Sequence, residues 1–592
     1  MPVTQQGTGR AMTPPELDLR RKLEGRLLGL RVNRYSWWTH WRELADYILP
    51  RRYKWIITPN QMARGSPINQ HILDSTGTLA ARNLASAMFT GTSDPTRIWF
   101  KLKIGHIDST QTGPVSLWLA ECERILLLVF QESNFYTSIA VALLDLVIFG
   151  TAVVLWYEDF ENVLCPYNPC AGEFYLENSS KFQADTLYRE FTMTVSQVVQ
   201  EFGKENCSPA VQALYTQGGA SWTRELVVAH AIEPNEGGEY GIPKHFKFRE
   251  VYWEWGGSAS PQGGSSYAPG FLRKKGYHEK PFAAVRWDLV ANDAYGRSPA
   301  MDALPDIKQL QLEVRRKAQA IDKLVNPPMV ADIQLKNQPA SLLPGGVTYI
   351  AGMLSNARPG FAPVYQVQPP VKEIMEDLNE VRERIKTIFF NNIFQTISQY
   401  ETRSNVTAAE IDARKAEAFL MIGPVYTRTQ KELFSVAIER AFAVAARAGI
   451  LPPAPQEVAG ANMNIEYVSM LEISQNAAKA AQIERTMSTA AQFMGVDPAI
   501  ADGVDFDYGI AKSSALLNND PKLIRSPIQL QQIRQQRAQQ QAQAQQAEMA
   551  EKLAAGAKNL GQASMGSDTA LGALVGGRGS GGVAPAAQAQ AA

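Results

Sequence analysis

Two stretches of this chain repeat apolar residues at alternating steps of three and four, and this pattern constrains the architecture more than any other feature. Between 300 and 325 the positions are Leu304, Ile307, Leu310, Val314, Ala318, Ile321 and Val325; between 371 and 396 they are Val371, Ile374, Leu378, Val381, Ile385 and Ile388. So narrow a stripe predicts a helix that must bury one seam along its length, so each helix needs a partner. The seam alone leaves open whether that partner lies in the same chain or in another copy. Asn326-Pro327-Pro328 ends the first helix, and a Pro/Gly-punctuated, extended insert separates the two. In both helices acids gather near the start and bases near the end, as the helix dipole favours. That is mainly a structural pattern, with DNA contact as its rival.

At 592 residues the chain exceeds what one core can organise, and its 45% hydrophobic and 20% charged residues are ordinary for a folded body. Lys plus Arg and Asp plus Glu both number 58, so no global basic field exists to grip nucleic acid, and any such contact must be local or weak. Four cysteines, at 122, 165, 170 and 207, form no CxxC pair and read as reduced thiols. The polar N-terminus has no apolar core of a secretion signal. The longest apolar run, Ile139 to Tyr157, is broken by Asp145 and Gly150, and reads as a buried helix running into a strand instead of a membrane span.

Along the chain, Pro15 to Leu49 is helix-forming, with Leu19, Leu23, Leu27 and Leu30 on one face and Tyr35, Trp37, Trp38 and Trp41 beyond. Ile68 to Phe89, Pro114 to Gln131 and Asn134 to Phe149 predict three more helices. From 151 to 300 the period changes to alternation, the mark of antiparallel strands, with a short helix at Val195 to Phe202 and a Gly/Ser-rich loop at 256–270. Thr407-Ala408-Ala409-Glu410 has the form of a capping box opening a long helix to Ala448, which Gly423-Pro424 should kink. Asn464 to Ile473 alternates like a strand and Ala477 to Phe493 reads as helix. Eleven of the eighteen residues from 529 to 546 are Gln, giving either a polar helix or a disordered tract.

The sequence contains no GxxxxGK[ST] phosphate loop, no HxxxH or HExxH zinc spacing and no Gly-x-Ser-x-Gly elbow. Cys165 and Cys170 could form half of a metal site, without a second half in view. Strand carboxylates Asp185, Glu190, Glu250 and Glu254 are the material for a metal-dependent nuclease, although solvent-facing strand carboxylates are the commoner arrangement. The chain therefore reads as a helical assembly subunit, not an enzyme, with no cofactor. A DNA-processing nuclease and a cytoplasmic coiled-coil scaffold are the alternatives.

Several segments, in order, carry a resemblance. They are the aromatic helix ending Leu49-Pro50-Arg51-Arg52, the run Asp185 to Thr194, and Glu250-Val251-Tyr252-Trp253-Glu254. Then come Tyr295-Gly296-Arg297-Ser298-Pro299 leading into Leu304-Pro305-Asp306-Ile307-Lys308, and Thr407-Ala408-Ala409-Glu410 followed by Gly423-Pro424-Val425. Together they resemble the head-to-tail connector, or portal, proteins of short-tailed, T7-like phages over roughly 15–500. The resemblance implies a mainly α fold with a mixed α+β wing and long stem and crown helices. Copies, usually twelve, would close into a ring at one capsid vertex of a virion assembled in the host cytoplasm, with no membrane involved. Double-stranded DNA would pass without sequence specificity, and terminase, tail adaptor, scaffolding and capsid proteins would be partners.

On that resemblance 1–299 is the wing, 300–325 and 371–396 the stem helices, 326–370 the clip and 397–406 the channel loop. Residues 407–500 form the kinked wing and crown helix with returning wing elements, 501–555 the crown with a candidate Gln-rich barrel helix, and 556–592 a mobile tail. Gln399, Tyr400, Arg403 and Asn405 would line the constriction, with Arg315, Arg316, Lys323, Arg382, Arg384 and Lys386 as weaker DNA-facing candidates. Ile307, Leu310, Val314, Ile321, Ile374, Leu378, Val381 and Ile385 would pack subunits together along the stem.

Overall fold

The computed structural model describes residues 14–50, 70–104, 107–108, 114–235, 242–255, 270–325, 329–331, 361–363, 370–391, 422–455, 458, 463–467, 470–494, 503–517, 519, 523–525 and 527–562. The expected channel loop with Gln399, Tyr400, Arg403 and Asn405, most of the 326–370 clip, the start of the 407–448 helix, the 256–269 loop and the tail beyond 562 lie outside these residues. The chain divides into two units, Met1–Pro521 and Lys522–Ala592.

The first unit begins with α1 (Pro14–Tyr47), α2 (Thr76–Thr92), β1 (Phe100–Ile104), β2 (Ile107–Asp108), α3 (Pro114–Glu132) and α4 (Phe135–Phe149). There follow β3 (Thr151–Asp159), β4 (Val163–Tyr167), β5 (Phe174–Asn178), β6 (Ala184–Thr194), α5 (Val195–Phe202), α6 (Pro209–Gln217), β7 (Glu225–Pro234), β8 (Phe248–Glu254), β9 (Arg273–Tyr277) and β10 (Phe282–Arg286). After α7 (Pro299–Val325) the strands β11 (Met329–Ala331) and β12 (Phe361–Pro363) pair with each other and lead to α8 (Val371–Ile388).

The alternating segments form a five-stranded antiparallel sheet, β5-β6-β7-β8-β9, whose two faces are set by the strand period of two. One face takes the leucine stripe of α1: Leu19, Leu23, Leu27 and Leu30 pack on Tyr175, Tyr188, Ala231, Val251 and Trp253. The other takes α5 and α6, with Val195, Val198, Phe202 and Val211 against Val228 and Tyr252. Thr194 ends β6 and opens α5 through a reciprocal capping box with Gln197.

The larger core gathers α2, α3, α4, the sheet β10-β3-β4, the first half of α7 and α8 around Trp99, Phe130, Phe135, Phe149 and Trp156. Trp41, from the aromatic end of α1, is fully buried there and donates from Nε1 to the Phe149 carbonyl at 3.0 Å. The apolar run is a helix turning into a strand, as the sequence predicts: α4 ends at Gly150, in the left-handed conformation, and β3 starts at Thr151. Among the described residues no single helix is long and apolar enough to cross a membrane, and α3 and α4 are bent by 74°.

The described part of the long helix begins at Gly423, with Pro424 in the first turn, where its missing N–H is not needed. It continues through a π turn at Gln430–Phe434 to Arg447, and the part of the helix before the expected Gly423-Pro424 kink lies outside the described residues. The strand expected at 464–473 is shorter, Met463–Tyr467, because a helix starts at Met470 and runs to Met494. In the second unit, the Gln-rich tract is a continuous helix, Pro527–Gln562.

Candidate stem and assembly site

The motif Tyr295-Gly296-Arg297-Ser298-Pro299 is a fastening at the entry of α7. Tyr295 lies edge-on to Trp41 at 5.3 Å, and its hydroxyl accepts from Leu176 N at 3.0 Å. Gly296 N donates to Thr151 Oγ1 at 2.8 Å, and Ser298 Oγ to the Ile148 carbonyl at 2.7 Å. The backbone of Arg297 bridges Asp288. Every contact reaches the α4–β3 corner or its neighbours, so the first turn of α7 has one position relative to the core.

From there α7 and α8 run antiparallel. Arg384 Nη2 of α8 lies 3.4 Å from Asp306 near the start of α7, and Lys317 Nζ further along α7 lies 2.9 Å from Met375 Sδ near the start of α8. Ile307, Leu310, Leu378, Val381 and Ile385, expected at the subunit contact, are instead buried inside this single chain. The reason is a third helix: α2 covers the same seam, so closely that a β-carbon on Gly77 would stand 2.8 Å from Ile307 Cδ1. Val314 and Ile374 are partly buried, and Ile321 is exposed. Beyond Gln311 the apolar residues of α7 lose their cover: Leu312, Ile321, Leu324 and Val325 are exposed, the last by 80%.

At the base of the pair, three helices meet on Asp74. Its Oδ1 accepts from Thr76 N at 2.9 Å at the start of α2, and its Oδ2 accepts from Arg382 Nη2 at 2.7 Å and Nε at 3.1 Å. Gln311 of α7 closes the junction, its Oε1 accepting from Leu73 N and Asp74 N at 2.7 and 2.8 Å while Nε2 donates to the Asp74 carbonyl at 2.8 Å. Burial pushes the Asp74 carboxyl upward, but hydrogen bonds from Thr76 and Arg382 outweigh it and hold the group below the usual carboxylate range. Sequence reading missed Asp74 and Gln311, because neither periodicity nor spacing marks a polar residue whose partners come from three separate segments.

The six stem cations separate into two groups. Arg382 is bound to Asp74, Arg384 lies 3.4 Å from both Asp306 and Glu380, and Lys386 pairs with Glu383 at 2.7 Å. Arg315, Arg316 and Lys323 are exposed and have no ion pair among the described residues.

The strand carboxylates do not face solvent. Glu190, Glu250 and Glu254 are buried, and each is neutralised or hydrogen-bonded. Glu190 pairs with Arg31 and accepts from Tyr175 Oη at 2.7 Å, and Glu254 accepts from Ser208 N at 2.8 Å. Glu250 accepts from Tyr252 and Tyr277 at 3.1 and 2.9 Å and contacts His230 Nε2 at 2.9 Å. Arg189 Nε, always a donor, lies 2.9 Å from His230 Nδ1, so the ring is the neutral form with its proton on Nε2, donated to Glu250. Burial drives His230 downward to about 4, consistent with that tautomer. Asp185, half-buried, stands apart, with Thr186 as its hydrogen-bond partner. Among the described residues no three His, Cys, Asp or Glu side chains are placed to share a metal ion, and Cys165 and Cys170 form no disulfide. These carboxylates tie the sheet together instead of assembling a nuclease centre.

The helix ending at Arg447 is bolted to the sheets by ion pairs. Glu432, within the π turn, accepts from Arg286 N at 3.0 Å and Nη2 at 2.5 Å. Arg440, fully buried, reaches Glu158 at 2.9 Å and also pairs with Glu279, and Arg447 contacts the same two carboxylates at 2.9 and 2.6 Å.

Comparison with known proteins matches residues 20–524 to a family described as bacteriophage head to tail connecting protein. A probable portal protein of Bordetella phage BPP-1 is 36% identical over 519 residues, spanning 87% of this chain and 90% of its own length. The portal protein of Salmonella phage epsilon15 is 35% identical over 558 residues, spanning 94% and 98%. Among solved structures, the neck of an empty GTA particle superposes with a TM-score of 0.33 at 10% identity, covering 69% of this chain and 86% of that one.

Proposed function

The chain belongs to the bacteriophage head to tail connecting proteins and serves a phage particle in the portal role, and from that premise we propose that it does so as one subunit of a closed ring around a DNA channel. The role is structural. The observation that carries the ring reading is the α7–α8 pair: anchored at Tyr295–Pro299 and Asp74, it buries its seam near the base and leaves Leu312, Ile321, Leu324 and Val325 uncovered further out. Four exposed apolar residues on one half-helix cost solubility in a monomer and are removed from water when a second copy covers them.

In this reading 300–325 and 371–396 form the stem, 326–370 the clip that meets terminase and then the tail, and 1–299 the wing. The segment 397–406, with Gln399, Tyr400, Arg403 and Asn405, lines the constriction, and 501–555 forms the crown. Twelve copies at one vertex would let duplex DNA enter and leave, joined by scaffolding and capsid proteins during assembly in the host. Equal numbers of acids and bases, 58 each, suit a wall past which a polyanion slides, since each strong phosphate contact would add affinity and hold it.

Negative-stain microscopy of the full-length recombinant protein tests this directly. Closed rings with a central channel are expected. Monomers or open filaments at high concentration would overturn it.

A further inference from the structure

The two stem helices have outer faces of opposite character. On α7, away from α8, lie Leu312, Arg315, Arg316, Gln319 and Lys323, all exposed. Their helical spacing puts them on one side, and the three cations lack ion pairs among the described residues. On α8, away from α7, lie Glu373, Glu376, Glu380 and Glu383, at steps of three, four and three, all exposed, with Lys372 beside the first of them. Glu380 and Glu383 have Arg384 and Lys386 on their flank at 3.4 and 2.7 Å, whereas Glu373 and Glu376 have no ion pair among the described residues.

Because the helices are antiparallel, with Arg384 level with Asp306 and Lys317 level with Met375, the two rows overlap in part: Arg315 and Arg316 stand level with Glu376, Lys323 lies beyond the start of α8, and Glu380 and Glu383 lie level with the turn before Leu312. Like charges one turn apart repel, by about 0.2–0.5 kcal/mol per pair on an isolated helix, so neither row is stable for its own sake. The rows point to opposite sides of the pair and cannot meet within one chain. A contact between two different surfaces of identical copies is head-to-tail, the kind that closes into a ring.

We propose that the basic face of α7 in one copy packs on the acidic face of α8 in the next. Resting on the ring reading above, this places Arg315, Arg316 and Lys323 between subunits and out of the DNA path. Leu312 and the methylene stems of the two arginines supply the apolar part of the contact, and Gln319 adds a neutral donor and acceptor between the arginines and Lys323. The charge rows set the register, since a displacement along the stem would bring Lys372 toward the arginines.

The test uses three full-length variants, R315E/R316E/K323E, E376K/E380K/E383K and the two sets combined, with circular dichroism to show that each folds. Mass photometry should show the ring fraction falling by about tenfold or more in each triple variant, and recovering in the combined one. About 1 M salt should dissociate wild-type rings partly, by screening the rows. Rings unaffected by either triple variant, with DNA packaging lost in R315E/R316E/K323E alone, would place these cations on the channel wall and overturn the proposal. Folded triple variants that fail to assemble and are not rescued by combination would also overturn it. If wild-type protein never forms rings, the ring reading itself falls, which is a different result.

Discussion

Gly150 and Gly296 face each other backbone to backbone, and a β-carbon on either would overlap the carbonyl oxygen of the other. Gly150 adds a positive φ of 73°, needed to turn α4 into β3. The contact is between main-chain atoms, so no side-chain rotation can relieve an added methyl group. Gly296→Ala should therefore cost about 3 kcal/mol or more, read as a lower urea midpoint of the dissociated subunit. Gly150→Ala should cost at least as much, because left-handed backbone adds about 1 kcal/mol for alanine.

Asp74 holds α2, α7 and α8 together, so Asp74→Asn should lower stability by about 2 kcal/mol at neutral pH. The carboxyl is held below its ordinary pKa, so its contribution is complete above about pH 4 and disappears as pH falls through the lowered value. The gap between wild type and Asp74→Asn, followed by denaturant titration, should accordingly narrow in acid. A gap that stays constant down to about pH 2 would mean the charge plays no part.

Buried, neutral His230 makes the sheet acid-sensitive in a higher range. Its pKa is lowered from 6.5 to about 4, so the folded state binds its proton less readily than the unfolded state. Stability is complete above about pH 6.5 and declines between there and about pH 4, by on the order of 2 kcal/mol. His230→Gln, which cannot titrate, should be less stable near neutral pH but show a flatter thermal midpoint against pH over that interval.

The two ends of the α7 seam should respond differently to truncation. Ile307 is buried under α2 and Ile307→Ala should cost about 2–4 kcal/mol of subunit stability. Ile321 is 40% exposed, so Ile321→Ala should leave subunit stability within about 0.5 kcal/mol while weakening ring formation. Equal effects of both on monomer unfolding would contradict the division of the seam into an inner and an outer half.

Fixed spacings in the chain were enough to place several of the elements. The three-four repeat found α7 and α8, the alternation found β6 and β8, and the break at Gly150 separated α4 from β3. Period depends only on local backbone geometry, which is why it survives without knowledge of neighbours. The ordered run of segments pointed to the family that the comparison matches, and in the structure the Tyr295–Pro299 motif satisfies backbone contacts at the α4–β3 corner.

Partners were a different matter. A seam says that a helix must be covered but not by what, and only the tertiary structure laid α2 across Ile307 and left Ile321 open. Likewise a glutamate in a strand reads as solvent-facing until His230, Tyr252 and Tyr277 close around Glu250, from positions up to 27 residues away. Burial and pairing depend on which distant segments meet, and a one-dimensional period carries no record of that; the elements were determined by the sequence's own repeats, and the inside, the outside and the paired charges were decided by the packing.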